Sequence, residues 1–264
     1  MKKQGTLIVF LVIAVMALSG CMFPDSEKAA NQIPYADQLA AVQQAVNQYK
    51  EDTGGLVPIK DRDMDTDPYI KYLIDFEKLV PRYMAEPPGT AYEKGGIYQY
   101  TIWDPENTAE VKLVDLNIPE RMREIKIRAM GRYLPTKDLI NPLAFRIDYE
   151  ALGFKEEITV KSPYSQHQLP IFMTGDGELH VDYTLDLADI LREEKPDVKP
   201  GDDIRDLLVE RSPIVPAYSV PYTVDDNNEP VMVIEITKAK DRKENSDNKE
   251  ENPTVDDKNE KNDK

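Results

Sequence analysis

The feature that most constrains the fold is an order of signals that the chain runs through twice. Residues Tyr35 to Asp52 place Leu39, Val42, Val46 and Tyr49 at steps of three and four, the spacing of one buried helix stripe, and Gly54-Gly55 supply the stop. "PYIKYLIDFEKLVPRY" reads as a second helical segment. After Pro87-Pro88-Gly89 come two strands, "GIYQYTIW" and "AEVKLVDL", with a turn at Asp104-Pro105-Glu106-Asn107. The order then returns. Pro119 suits a first helical turn, Met122, Ile125 and Ala129 share one face, and Gly131 ends the helix, with Pro135 following it as Pro58 follows Gly54. Asp75-Phe76-Glu77-Lys78-Leu79 has its counterpart in Asp148-Tyr149-Glu150-Ala151-Leu152, and the hairpin returns as "LPIFMT", Gly175-Asp176-Gly177 and "ELHVDYTLDL".

A third, shorter unit follows. Asp186 to Lys195 and Asp203 to Glu210 read as helical, and Tyr222-Thr223 in "PYTVDDNNEPVMVIEI" lines up with Tyr100-Thr101 in "QYTIWDPENTAEVKLV". The expected fold is therefore α+β, built of tandem helix-plus-antiparallel-hairpin units from an internal duplication, at residues 35–117, 118–184 and 185–238. Tandem arrays of this kind present surfaces more readily than they enclose reaction chambers.

The single cysteine, Cys21, excludes internal disulfides, so packing must supply the stability. Its position is informative. Lys2-Lys3 make a positive start, Leu7 to Leu18 form an apolar run, and Ser19-Gly20 place small residues before the thiol. The run is about a dozen residues, short of the roughly 20 that span a bilayer, and fits a cleaved export signal over residues 1–20. The segment Leu18-Ser19-Gly20-Cys21 resembles the lipobox of bacterial lipoproteins. That resemblance implies a diacylglyceryl group on the Cys21 sulfur, cleavage between Gly20 and Cys21, and acylation of the new amino terminus as a further option. Two acyl chains hold a protein stably on a membrane. Residues 21–34 then read as a tether, and the charged segment 239–264 as a disordered tail, too polar to offset its ordering entropy.

The opening of the first unit, a long helix followed by "QYKEDTGGLVP" and an antiparallel sheet, is similar to the pilin and pseudopilin module. The lipobox stands where that family carries its own leader, so the resemblance implies a shape and not filament assembly.

Charge narrows the partners. At a net −16, with two more positive charges leaving when Lys2 and Lys3 are cleaved, the balance argues against a general nucleic-acid or anionic-membrane binder, and the lipid, not the surface charge, is expected to do the anchoring. The acidic run "KDRDMDTDPY" sets Asp61, Asp63, Asp65 and Asp67 at alternate positions, hard oxygen ligands that a Ca²⁺ ion would neutralise; the alternative is a hydrated loop in which Asp67-Pro68 starts a helix. The segment "PERMREIKIRAMGR" is the basic exception. Arg121, Arg123, Lys126, Arg128 and Arg132 offer a patch for an anionic partner, or pair internally with the many carboxylates.

Catalytic residue types are scarce. Ser165-x-His167 imitates part of a nucleophile pair in a polar loop, and alternation places Glu178, His180 and Asp182 on one strand face as metal-ligand types. An exposed loop and a polar strand face account for both, so no catalytic residue and no organic cofactor is expected. The reading that follows is a non-enzymatic lipoprotein on the extracytoplasmic face of the cell membrane, binding or scaffolding an envelope protein or polymer. A Ca²⁺- or ligand-binding accessory of a secretion, transport or pilus-like system is the alternative, and an envelope hydrolase the third.

Overall fold

The structure, a computed structural model, describes residues 35–64 and 66–234. The signal segment, Cys21, the tether, Asp65 and the charged tail lie outside the described residues. The architecture is α+β, with helices set against antiparallel sheets, and the single hairpin expected in the middle region is part of a five-stranded sheet.

Helix α1 (Tyr35–Asp52) buries Val42, Ala45 and Val46 and stops at Gly54 and Gly55, whose positive φ values of 73° and 106° a side chain would resist. A one-turn helix, α2 (Pro68–Lys71), is capped by Asp67, which accepts the Tyr69 N–H. The single helix expected from Pro68 to Tyr83 breaks here. Ile74 pairs with Ile59 and Leu73 with Thr101, so the chain extends before a 3₁₀ turn at Phe76–Lys78. Edge pairing with two neighbours outweighs the helical spacing of these apolar residues.

Strands β1 (Tyr98–Trp103) and β2 (Glu110–Asp115) pair with Tyr100 opposite Leu113. One face of this hairpin, Tyr100, Ile102, Val111 and Leu113, packs on α1. Gln43 fixes the fit: its amide nitrogen donates to Ala109 O (3.1 Å) and its oxygen accepts Val111 N (2.7 Å). The other face, with Val114 and Trp103, meets Tyr69, Leu73, Val209, Val215 and Ala217 in a separate cluster. The hairpin is covered on both sides, which explains its nearly continuous burial.

The second unit opens with α3 (Asn117–Ala129), burying Ile118, Met122, Ile125 and Ala129 as its spacing requires. Strands β3 (Thr136–Asn141), β4 (Ala144–Ile147), β5 (Thr159–Lys161), β6 (Gln168–Thr174) and β7 (Leu179–Val181) make a five-stranded sheet in the order β3-β4-β6-β5, with β7 also on β6. The strand expected through Leu187 ends at Val181. Asp182 accepts the Thr184 N–H, and α4 (Thr184–Glu194) begins there, leaving Leu185 exposed and Asp186 buried. Then come α5 (Asp206–Arg211), β8 (Tyr222–Val224) and β9 (Pro230–Met232), the last two a hairpin. Its side chains Tyr222 and Val224 enter the same core as Ile125, Phe172 and Leu187, so the second and third units share one interior.

The same backbone bonds recur between units. Asp75 N donates to Pro58 O at 2.8 Å, and Asp148 N to Pro135 O at 2.9 Å. Ile74 N donates to Tyr100 O at 2.8 Å, and Ile204 N to Tyr222 O at 2.9 Å. Residues 213–218 form a strap between the units. Leu113 N donates to Pro213 O and Val215 N to Leu113 O on the β2 side, while Val181 N donates to Tyr218 O on the β7 side.

Candidate functional site

The aspartate run divides. Asp61 and Asp63 are exposed, whereas Asp67 turns inward and spends both oxygens on backbone: Oδ1 accepts Tyr69 N (2.9 Å) and Oδ2 accepts Tyr218 N (3.1 Å). Burial pushes the Asp67 carboxyl above the usual carboxylate range, against the pull of these two N–H groups and of Arg205. Among the described residues, no three His, Cys, Asp or Glu side chains gather in a group able to hold a metal. Asp67 therefore serves as helix cap and strap anchor, and Asp65 lies outside the described residues.

The Ser165–His167 loop has the residue types of a nucleophile pair but not the connection. Ser165 Oγ donates to Asp186 Oδ1 (2.5 Å), Ser162 Oγ donates to Asp186 Oδ2 (2.8 Å), and His167 Nε2 contacts Asp189 (2.8 Å). The hydroxyl is bonded to the Asp186 carboxylate and the imidazole faces Asp189, so Ser165 and His167 do not form a nucleophile–imidazole pair. Asp186 is only 1% exposed, and burial raises its pKa despite the two hydroxyl donors. The arrangement fastens the loop at residues 162–167 to the first turn of α4. Asp186, which the sequence places at the start of the helical segment Asp186–Lys195, carried no signal that its carboxylate would be buried.

Glu178, His180 and Asp182 do not converge. Glu178 pairs with Lys126 (3.1 Å), and Asp182 accepts from Thr184 N and from the Tyr222 hydroxyl (3.1 Å). His180 packs beside Phe172 with a buried Nδ1 that makes no hydrogen bond of good geometry among the described residues, and desolvation holds its pKa below the ordinary histidine value. Sequence reasoning also missed a polar stack at the junction of the units: the Arg205 guanidinium lies 5.1 Å from the Tyr69 ring, which stacks on Trp103, and Asp203 pairs with Arg205.

The basic helix is where the structure gathers an exposed surface. Arg121 pairs with Glu124, Arg123 with Glu120 and Lys126 with Glu178, while Arg128 lies 4.8 Å from the Phe154 ring. Arg132 has no such partner among the described residues. It lines, with Lys126, Ala129, Tyr133, Met173 and Asp176, an open cleft of about 350 Å³ at the C-terminal end of α3. Tyr133 lines the cleft, and at the same end of α3 the side chains of Ile127 and Met130 are exposed, as is Tyr133 itself. Met130 sits in the left-handed region (φ 52°), followed by Gly131 (φ 72°), and this reversal turns the chain outward at the helix end.

Residues 35–115, from the first residue of α1 to the last of β2, match a family model described as the YphF family N-terminal domain. No curated protein and no solved structure matches the chain.

Proposed function

We propose that this chain is a membrane-anchored extracytoplasmic lipoprotein whose folded body binds or scaffolds a partner at the cell envelope without catalysing a reaction. The observation that carries the reading is Leu18-Ser19-Gly20-Cys21 placed after a positive start and a short apolar run. A covalent lipid on Cys21 supplies the anchor; among the described residues, no helix is long and apolar enough to cross a membrane. The side chains of catalytic type support a binding role by where they spend their polar atoms. Ser165 and Asp186 tie a loop to α4, and Asp67 ties α2 to the strap.

The test is cell fractionation with metabolic lipid labelling of the wild type and Cys21→Ala. The wild type takes up label and partitions with membranes; the variant takes up none and accumulates as precursor or soluble chain. Normal processing and membrane retention of Cys21→Ala would contradict the reading. In-cell crosslinking of the anchored protein then identifies the envelope protein or polymer held.

A further inference from the structure

Resting on the lipid-anchored reading, we infer that the C-terminal end of α3 is a second membrane contact, a face that lies on the anionic bilayer surface and orients the body. Three side chains stand out there. Ile127 is 64% exposed, Met130 77% and Tyr133 86%, within seven residues of chain. Lys126, paired with Glu178, and Arg132, just past the helix end, line the adjoining cleft, and Arg128 in the last turn of α3 lies over the Phe154 ring. Apolar and tyrosine tips among long cations are the composition of a surface that rests in the headgroup layer, where the rings and thioethers enter the interface and the cations meet phosphates.

Two properties select a bilayer over a protein groove. A groove binder buries part of each side chain in a preformed wall, whereas Met130 and Tyr133 protrude with most of their surface in water. A soft interface closes around protruding groups; a rigid partner needs matching pockets. Charge gives the second. The chain carries −16 overall, so an anionic surface repels most of the body, whereas this end of α3 brings Lys126, Arg128 and Arg132 together against Glu178 and Asp176 and leaves Arg132 without a carboxylate partner among the described residues. Asp176, which also lines the cleft, accepts the Thr174 hydroxyl at 2.6 Å, a bond that favours its ionised form, so one negative charge stays beside the cations.

The anchor can reach. Thirteen residues separate Cys21 from Tyr35, a contour of roughly 50 Å at full extension. A compact body of about 200 residues is roughly 45 Å across. A lipid on such a tether confines the body near the membrane but leaves its orientation open. The cationic apolar face sets that orientation.

The experiment is vesicle flotation of residues 22–264, which retain every member of the three buried clusters and carry no lipid, so the anchor cannot contribute. Vesicles of phosphatidylcholine alone are compared with vesicles containing about 30% phosphatidylglycerol. The inference expects flotation with the anionic vesicles only, falling with added salt and by about fivefold in Arg132→Gln. Met130→Asp combined with Tyr133→Asp should reduce it to the level of neutral vesicles; both sites are exposed, and an unchanged melting curve verifies the fold. Absence of flotation, equal flotation with both vesicles, or flotation indifferent to these substitutions overturns the inference, including the case in which the same face binds an acidic protein. None of these outcomes bears on Cys21, whose lipid labelling decides the anchor separately.

Discussion

The carboxylate of Asp67 accepts the backbone N–H of Tyr218, 151 positions along the chain, at 3.1 Å. Tyr218 O in turn accepts Val181 N at 2.9 Å. One residue thus joins the capped end of α2 in the first unit to β7 in the second, and an aspartate of the run read as ion-ligand types anchors that residue.

Asp67→Ala leaves the N–H groups of Tyr69 and Tyr218 without their acceptor. It is expected to destabilise the protein by about 2–4 kcal/mol, combining a lost cap with a buried unsatisfied donor. Exposed Asp61→Ala and Asp63→Ala should stay within about 0.5 kcal/mol. Urea midpoints of the three variants check this; equal small losses would show that the strap does not depend on Asp67.

Gly96 is required by space. A Cβ there would lie 2.1 Å from the carbonyl carbon and oxygen of Thr90. Thr90 cannot yield, because its N–H and hydroxyl bond Gln38 and its hydroxyl also contacts the Tyr100 hydroxyl at 2.7 Å. Gly96→Ala is expected to cost more than about 3 kcal/mol or to prevent folding, whereas Gly89→Ala, with open space at its Cβ, should be nearly neutral. Comparable melting temperatures for the two variants would refute this.

Lys112 is a buried cation at the C-terminal end of α5. Its Nζ donates to Val209 O (3.0 Å) and Ser212 O (3.5 Å) and pairs with Glu110 (2.7 Å). Lys112→Met keeps much of the packing but strands those carbonyls, for an expected loss of about 1–3 kcal/mol. Glu110 is half exposed, so Glu110→Gln should cost about 0–1 kcal/mol. If Glu110→Gln proves the more damaging, the ion pair and not the carbonyl cap is the stabilising contact.

Asp186 gives a pH signature of defined sign. Its folded pKa is raised by burial, so folding favours the protonated form. The associated stability is fully present below the ordinary carboxylate value and is lost as pH rises through the raised folded value. Asp186→Asn has no such titration. Relative to that variant, the wild type should gain stability between about pH 7 and about pH 3.5, read from denaturation midpoints at both pH values. A constant difference would remove the titration from Asp186.

The elements legible in the sequence are those whose burial is one-sided. Val42 and Val46 in α1, and Met122 and Ile125 in α3, bury as their spacing predicts. The alignment of Tyr222 with Tyr100 meets a shared backbone bond, Ile204 N to Tyr222 O and Ile74 N to Tyr100 O. Where local pattern and tertiary pairing compete, the pattern misleads. Leu73 and Ile74 carry helical spacing but pair with Thr101 and Ile59, and the alternation of "ELHVDYTLDL" hides the cap at Asp182. Strand β3 is an exposed edge whose side chains mostly face solvent, so it lacks an apolar stripe to read. Of the surface at the end of α3, the cations were visible as a basic run; the exposure of Met130 and Tyr133 required the helix end to be placed.

The account stands most directly on the chemistry at Cys21. Mass spectrometry of the amino-terminal peptide from protein extracted from native membranes should find a chain that begins at Cys21 and carries a diacylglyceryl mass on the sulfur. A peptide beginning at Met1 with an unmodified thiol would contradict it.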